Sequence, residues 1–165
     1  MLDLPSGILD FGDGETLAVD GELAAFEQTR AYARLTSHPN PHVPDLLTLQ
    51  GWQETIETHR WHVALTFYRG RGAGMSMHLA NGPLSPFDWN RVSEALLKQE
   101  VQLLVRMAQA ALGRAADHAT FAHAPAFGGT WELPWGQLSA HGEPRSYTAG
   151  IYLTPRHRIG KTYPD

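Results

Sequence analysis

The stretch from residue 62 to residue 89, HVALTFYRGRGAGMSMHLANGPLSPFDW, decides the expected fold. Apolar and polar side chains alternate in 62–68 and again in 74–80, and a period of two is typical of half-buried strands. Pairing Phe67 with Met75 puts six apolar side chains on one face, with the five residues RGRGA bridging the strands. The stretch therefore predicts an antiparallel hairpin with a basic, glycine-rich tip.

A long helix is predicted directly after this hairpin. Ser85 fits an N-cap, Pro86 fits the first helical position, and Asp88 completes a capping box. Leu84 and Trp89 fit the hydrophobic staple of this helix start. Apolar residues then recur at helical spacing as far as Gly113, a natural helix stop. We expect a helix over about 86–112, packed against the sheet.

Two shorter helices are predicted in the N-terminal third, after a small hairpin over residues 8–20. The glycines of Gly12-Asp13-Gly14 suit its turn, and Asp20 offers an N-cap for a helix over about 22–35. Leu49, Trp52 and Ile56 recur at helical spacing and predict a second helix, over about 46–58.

Proline and glycine decide the interpretation of several remaining segments. Three prolines in 37–44 argue against regular structure there. Residues 120–123 form a candidate short strand, 128–138 is rich in loop residues, and 147–154 alternates as a strand that Pro155 ends. The chain closes on 156–165, which we expect to be a flexible basic tail.

The fold class that follows is α+β, a single domain over residues 1–165. An antiparallel sheet packs on the long central helix, with the two shorter helices before it. A length of 165 residues suits one domain, and the lack of cysteine excludes disulfides and thiolate zinc sites. No apolar run approaches the roughly 20 residues of a membrane span, and no secretory signal is visible, so we expect a soluble cytoplasmic protein.

Charge is distributed unevenly along the chain. The net charge is −4, with ten acidic and three basic residues in 1–60 and seven acidic and ten basic residues in 61–165. A nucleic-acid-binding protein usually has a stronger basic excess, so the charge balance argues against nucleic acid as the main partner. The basic residues of the hairpin tip and the tail would form a local anion-binding patch if they lay on the same side of the molecule. These residues are Arg69, Arg71, Arg156, Arg158 and Lys161.

The pattern R69-x-x-G72-x-G74 resembles the acetyl-CoA pyrophosphate loop of the acetyltransferase superfamily. That resemblance implies an acyl-CoA-type transferase that uses the turn at 69–74. The amides of such a loop hold phosphates at a helix N-terminus, and the helix must begin at the last glycine. Here the segment after Gly74 alternates as a strand, so we favour a plain hairpin tip.

The nine histidines offer a second enzymatic alternative. His118-Ala-Thr120 matches one half of the two-histidine phosphoesterase signature, but the chemistry needs a second such unit. No H-E-x-x-H or two-His-one-carboxylate spacing is present, so we assign no metal, cofactor or catalytic residue. The bases worth testing for a histidine-dependent enzyme are His59, His62, His78, His118 and His123.

The order of motifs from about 60 to 155 resembles the suppressor-of-fused domain, a protein-binding α+β module also found in bacteria. The motifs are His62-Val63, G72-A-G-M-S-M-H-L79, Pro86 to Trp89, G129-T-W131, E143-P144 and the strand ending at Pro155. The resemblance implies the fold and a protein-binding role, and it carries over no catalytic residues.

These observations lead us to expect a non-enzymatic protein-binding or regulatory module whose partner is another protein. Trp131 and Trp135 flank Pro134 in a segment that we expect to be exposed, and tryptophan is enriched in the energetic centres of interfaces. The alternative is that both rings close the open end of the core. A histidine-dependent enzyme and a weak anion or nucleic-acid binder are the competing hypotheses.

Overall fold

The computed structural model describes residues 2–56, 58–85, 88–119 and 128–164. Within these ranges the chain forms a small and a large antiparallel sheet and one long helix packed on the large sheet. The predicted combination of an antiparallel sheet and a packed helix is confirmed. The two shorter N-terminal helices are wrong, and strands dominate the described chain.

The small sheet has the order β1-β2-β3 and is formed by β1 (Leu2–Asp3), β2 (Ile8–Asp10) and β3 (Thr16–Ala18). The large sheet has the order β4-β5-β6-β7-β10-β9-β8. Its strands are β4 (Thr36–Pro39), β5 (Leu46–Ile56), β6 (His59–Tyr68), β7 (Arg71–Leu79), β8 (Gly128–Leu133), β9 (Gly136–Glu143) and β10 (Thr148–Pro155). The helices are α1 (Leu23–Phe26) and α2 (Glu94–Leu112), with 3₁₀ turns at Tyr32–Arg34 and Arg156–Arg158.

Two layers cover the same face of the large sheet, which we call the inner face. Helix α2 lies over β8, β9 and β10, and a side chain at Gly142 would meet Leu97 and Val101 at 2.7 and 2.8 Å. Glycine at this position therefore lets α2 approach β9 closely. The small sheet and α1 cover the other half, where Phe26 stacks on Phe67 with ring centroids 6.3 Å apart.

The central hairpin of β6 and β7 is confirmed, but its register differs from the predicted one. Leu65, not Phe67, lies opposite Met75. The turn has two residues rather than five, because Arg69 and Gly70 both adopt positive φ, 51° and 76°, as a type I′ turn requires. The shorter turn and a bulge at Ala73 together shift the register by two residues from the predicted one. An even shift leaves the six apolar side chains on the inner face.

The helix predicted over 46–58 is wrong, because this segment forms strand β5. A bulge separates the pairs Leu49–Leu65 and Trp52–Val63, and Gly51 adopts a φ of +106° there. The extra residue reverses the alternation, so that apolar side chains three and then four positions apart share one face. That spacing is the one that a helix would give.

The prediction for residues 37–44 is wrong in part, because Thr36–Pro39 pairs with β5 as an edge strand. Proline lacks a backbone N–H, and an edge strand accommodates it because one side needs no partner.

The helix predicted over 22–35 is also wrong, since α1 ends at Phe26. The carboxylates of Glu15 and Asp20 explain why no longer helix forms: Glu15 binds backbone groups beyond Phe26, and Asp20 does not serve as the N-cap. Glu15 accepts hydrogen bonds from the backbone N–H groups of Arg30 and Ala31, at 2.9 and 3.0 Å. Side chains that bind backbone groups in this way compete with the helical pattern. Asp20 caps no helix and instead pairs with Arg71.

The small hairpin predicted over residues 8–20 is confirmed. Leu9 lies opposite Leu17 in the register of β2 and β3. The turn residues Gly12, Asp13 and Gly14 all have positive φ, at 86°, 54° and 79°.

The predicted start of the long helix is wrong, and its end at Gly113 is confirmed. Ser93 is the N-cap of α2 and accepts a hydrogen bond from the N–H of Leu96 at 3.3 Å. Ser85 instead donates its hydroxyl to the carbonyl of Ala80 at 2.6 Å. The 19 residues of α2 span about 29 Å at the helical rise. It is not long and apolar enough to cross a membrane, and neither is any other helix in the described ranges.

The loop predicted over 128–138 is wrong, because β8 and β9 pair there as a tight hairpin. Pro134 and Trp135 form its two-residue turn. The strand predicted over 147–154 is confirmed as β10. The candidate strand at 120–123 lies outside the described residues.

Candidate functional site

The inner face of the large sheet is left open between its two covering layers, and we call this opening the cleft. Trp61, Met77 and Ile151 lie along it from the sheet, with β1 and the following turn on one side and α2 on the other. Its volume is about 550 Å³. Ligand pockets in proteins commonly have volumes of this order, and they are mostly apolar.

Two charged side chains accompany the apolar lining of the cleft. Arg106 stands exposed on α2, and its guanidinium group makes no hydrogen bond or ion pair within the described part of the chain. Asp3 stands on β1, where its carboxylate accepts a hydrogen bond from the Ser6 hydroxyl at 2.5 Å. The buried Trp61 also lines the cleft, and its indole Nε1 has no hydrogen-bond partner among the residues that the structure describes. The cleft therefore combines apolar walls with one unengaged cation.

Three histidines lie in one row on the opposite, outer face of the large sheet. His62 on β6 is directly opposite His78 on β7, and His141 on β9 is opposite Gly150 on β10. His78 Nδ1 lies 2.8 Å from the carbonyl oxygen of Ala149. Because a carbonyl only accepts, Nδ1 carries the proton when this imidazole is neutral, and Nε2 has a free lone pair.

Tyr152 connects two of these imidazoles. Its ring stacks on that of His141 with centroids 4.3 Å apart and meets His78 edge-on at 5.7 Å. Burial lowers the pKa of His141, Glu143 opposes that shift, and His78 adds to it. Burial and Glu143 raise the pKa of Tyr152. Both shifts favour the neutral forms of His141 and Tyr152, so these two stacked rings form an aromatic surface near neutral pH.

The other candidate histidines do not join this row. The Nδ1 of His59 lies 3.5 Å from the Thr58 hydroxyl. His118 pairs through its backbone with Thr130, and His123 lies outside the described residues. No group of three or more metal-binding side chains occurs among the residues that the structure describes. The prediction of a histidine-dependent enzyme stays untested by this arrangement.

The basic residues of the hairpin tip and the tail meet around Tyr68, and we call this cluster the basic tip. The guanidinium groups of Arg69 and Arg158 lie 5.0 and 5.1 Å from the centre of the Tyr68 ring. Burial lowers the pKa of His157, and nearby Arg71, Arg158 and Lys161 lower it further while Asp20 opposes them. Four of the five predicted basic residues are therefore neighbours.

Several cations of the basic tip have structural partners. Arg71 forms an ion pair with Asp20 at 3.0 Å. Arg158 is buried and also lies over the ring of Tyr163, at 4.2 Å. Arg156 points elsewhere and donates to the carbonyls of the β8–β9 turn. Arg69 and Lys161 remain exposed.

The predicted exposure of the two tryptophans is wrong for Trp131, which has no accessible surface. Its Nε1 lies 3.4 Å from the carbonyl oxygen of Arg114. Trp135 is half-buried and donates to the carbonyl of Leu4 at 3.0 Å. A binding role for these two residues stays a prediction, and a partner could reach Trp131 only if the core opened.

An exposed tryptophan stands elsewhere, at Trp89, whose relative accessibility is 66%. Its ring meets that of Tyr147 edge-on with centroids 6.5 Å apart, and we call this pair the Trp89–Tyr147 patch. The backbone N–H groups of Arg91 and Val92 both donate to the carbonyl of Asp88 at 2.9 Å, which fixes the turn that carries Trp89.

Sequence reasoning missed this patch because Trp89 fitted the hydrophobic staple of a helix expected to begin at Ser85. A staple residue would be buried against the helix. The actual start at Ser93 leaves Trp89 in a turn before the helix. No sequence signal pairs it with Tyr147.

The acyl-CoA loop hypothesis has lost its structural setting, because the residues after Gly74 continue strand β7 rather than a helix. The likeness to the suppressor-of-fused domain stays a hypothesis. Comparisons of the chain with protein-family models, with curated proteins and with solved structures find no match.

Proposed function

We propose that the protein is a non-enzymatic binding module that recognises another protein through the Trp89–Tyr147 patch. The observation that carries this proposal is the exposure of Trp89, 66% of its surface, on a turn held by backbone hydrogen bonds. A tryptophan ring offers a contact area of roughly 150–250 Å². Because the turn is already ordered, binding costs little additional conformational entropy.

The backbone of Tyr147 supports this proposal independently. Its φ is +49°, in the left-handed region that non-glycine residues rarely adopt. Such a conformation costs on the order of 1–3 kcal/mol and is concentrated at functional sites. The β9–β10 turn therefore maintains an unfavourable residue conformation at the place where Tyr147 meets Trp89.

The test compares affinity capture by the full chain with capture by two variants, with captured proteins quantified by mass spectrometry. Trp89→Ala removes the centre of the patch. Ile8→Ala is the control, because Ile8 is 39% exposed on the small sheet. We expect a specific partner to be retained by the wild type and by Ile8→Ala and lost with Trp89→Ala.

The affinity for that partner, measured with purified proteins, should fall at least thirtyfold with Trp89→Ala, which is about 2 kcal/mol. A partner that binds all three chains equally would refute the patch as its contact. Melting curves of the variants separate a binding defect from unfolding.

A weak anion-binding role of the basic tip is the second candidate. It rests on Arg69, which is exposed beside Tyr68, and on Lys161, which is exposed near His157, while Asp20 neutralises Arg71. Such binding would depend strongly on salt, because exposed charges are screened beyond about 8 Å at 0.15 M. Fluorescence anisotropy of a labelled oligonucleotide at two salt concentrations tests it. We expect no binding at ~150 mM salt, where the Debye length has this value.

A further inference from the structure

We infer that the cleft between β1 and α2 binds a small amphipathic carboxylate, meaning a carboxylic acid with a medium-length alkyl chain. The residues that line the cleft do not include Trp89 or Tyr147, so the inference is independent of the proposed function. Its three supports are the volume of the cleft, its apolar walls and the position of Arg106.

The volume and lining of the cleft fit an alkyl chain. A space of about 550 Å³ is within the usual range of roughly 300–1,000 Å³ for ligand pockets. Met77 and Met107 contribute flexible thioether side chains, which adapt to a ligand of irregular shape. Ala110 and Ala111 keep the α2 side short and leave room above Trp61.

The charge at the cleft fits the carboxylate. Arg106 is exposed and has no acidic partner in the described ranges, so its guanidinium group is available for a bidentate pair with a carboxylate. Asp3 is the competing charge. Its carboxylate already accepts the Ser6 hydroxyl, and it stands on β1, across from α2. A ligand whose head group lies on the α2 side of the cleft therefore contacts Arg106 rather than Asp3.

The test measures binding to the full chain by isothermal titration calorimetry with decanoate and decylammonium below their micelle concentrations and with decanol below its solubility limit. We expect saturable binding of decanoate, weaker binding of decanol and the weakest binding of decylammonium. Tighter binding of decylammonium than of decanoate would assign the head-group site to Asp3 and overturn the inference. So would the absence of saturable binding of decanoate.

Two variants locate the site. Arg106→Gln should weaken decanoate binding at least tenfold and leave decanol unchanged, whereas Arg91→Gln, which changes an exposed arginine outside the cleft lining, should affect neither. Ala110→Trp should fill the cleft and abolish binding of both ligands. Ala110 is exposed, so this variant is expected to fold. Decanoate binding that is unchanged in Arg106→Gln or in Ala110→Trp would overturn the inference.

Discussion

The buried carboxylate of Glu100 accepts a hydrogen bond from the backbone N–H of Leu84 at 2.7 Å. This contact connects the middle of α2 to the segment that leaves β7. A side chain at Gly82 would meet the same carboxylate oxygen at 2.7 Å, so glycine makes room for it. The Glu100 side chain thus joins α2 to the segment that follows β7. Only 3% of the surface of Glu100 is accessible to solvent.

Glu100 should make the protein less stable as pH rises. Burial raises the pKa of Glu100, and the Leu84 N–H only partly opposes this. The folded state therefore binds more protons than the unfolded state above the ordinary value of 4.5. The free energy of unfolding should fall as pH rises from that value through the folded-state pKa.

Glu100→Gln should flatten this pH dependence, because the amide oxygen still accepts from Leu84 and no charge is buried. Urea denaturation between pH 4 and 8 measures it. Glu94→Gln is the control on an exposed carboxylate of the same helix, paired with Lys98. An unchanged slope in Glu100→Gln would show that the buried carboxylate is not the source.

Ser93, rather than Ser85, should determine the stability of the start of α2. Ser93→Ala removes the acceptor for the Leu96 N–H and should lower the free energy of unfolding by about 1 kcal/mol. Ser93→Asp keeps an acceptor at the N-cap and should restore most of the loss. Thermal or urea melts of the three proteins check this, and equal stability of the alanine and aspartate variants would contradict it.

Gly72 should tolerate no side chain. A Cβ atom there would lie 2.3 Å from the carbonyl oxygen of Val19, and the Gly72 N–H donates to the carbonyl of Gly21. We expect Gly72→Ala to destabilise the fold by more than about 2 kcal/mol, as overpacking against backbone does. Gly74→Ala is the matched control, with its nearest contact at 3.3 Å, and should cost clearly less. Urea melts that place both variants at the same stability would be inconsistent with this packing.

His141 should make the protein less stable in mild acid. Burial lowers the pKa of His141 below its ordinary value of 6.5. The unfolded state then binds more protons, so stability is full above about pH 6.5 and falls as pH decreases through the folded-state pKa. His141→Phe keeps a ring against Tyr152 and should reduce this loss. Melts at pH 5 and 7 measure it, with His38→Gln as an exposed control. A loss of the same size in His141→Phe would exclude His141 as its cause.

The sequence predicted those elements whose alternation is local. A local period of two marks residues 62–68 and 74–80 of the β6–β7 hairpin, strand β10, and the hairpin of β2 and β3. The register of β6 and β7 could not be predicted from the sequence, because a positive φ at Arg69 is unusual for a residue with a side chain. A shorter turn and a bulge both depend on such backbone details.

The candidate sites were predicted less well than the fold, because each depends on contacts distant in sequence. Arg106 and Leu2 belong to the same cleft only after the small sheet folds back onto the large one. Trp131, which was expected to be exposed, is buried because it lies in the buried strand β8. Trp89, which was expected to be buried, is exposed because the helix begins later than Ser85. Composition alone does not separate a buried tryptophan from an exposed one.

The bulge at Gly51 divides β5 into two halves with opposite parity. Odd-numbered residues face the core before it, as at Leu47 and Leu49, and even-numbered residues face the core after it, as at Trp52. Deleting one residue at the bulge would remove the extra residue and leave every later side chain of the strand on its present face, whereas deleting or inserting one residue in a regular part of β5 would turn the neighbouring side chains to the other face. A single deletion at the bulge should therefore keep the inner-face contacts of β5, and a single insertion or deletion in a regular part of the strand should cost them.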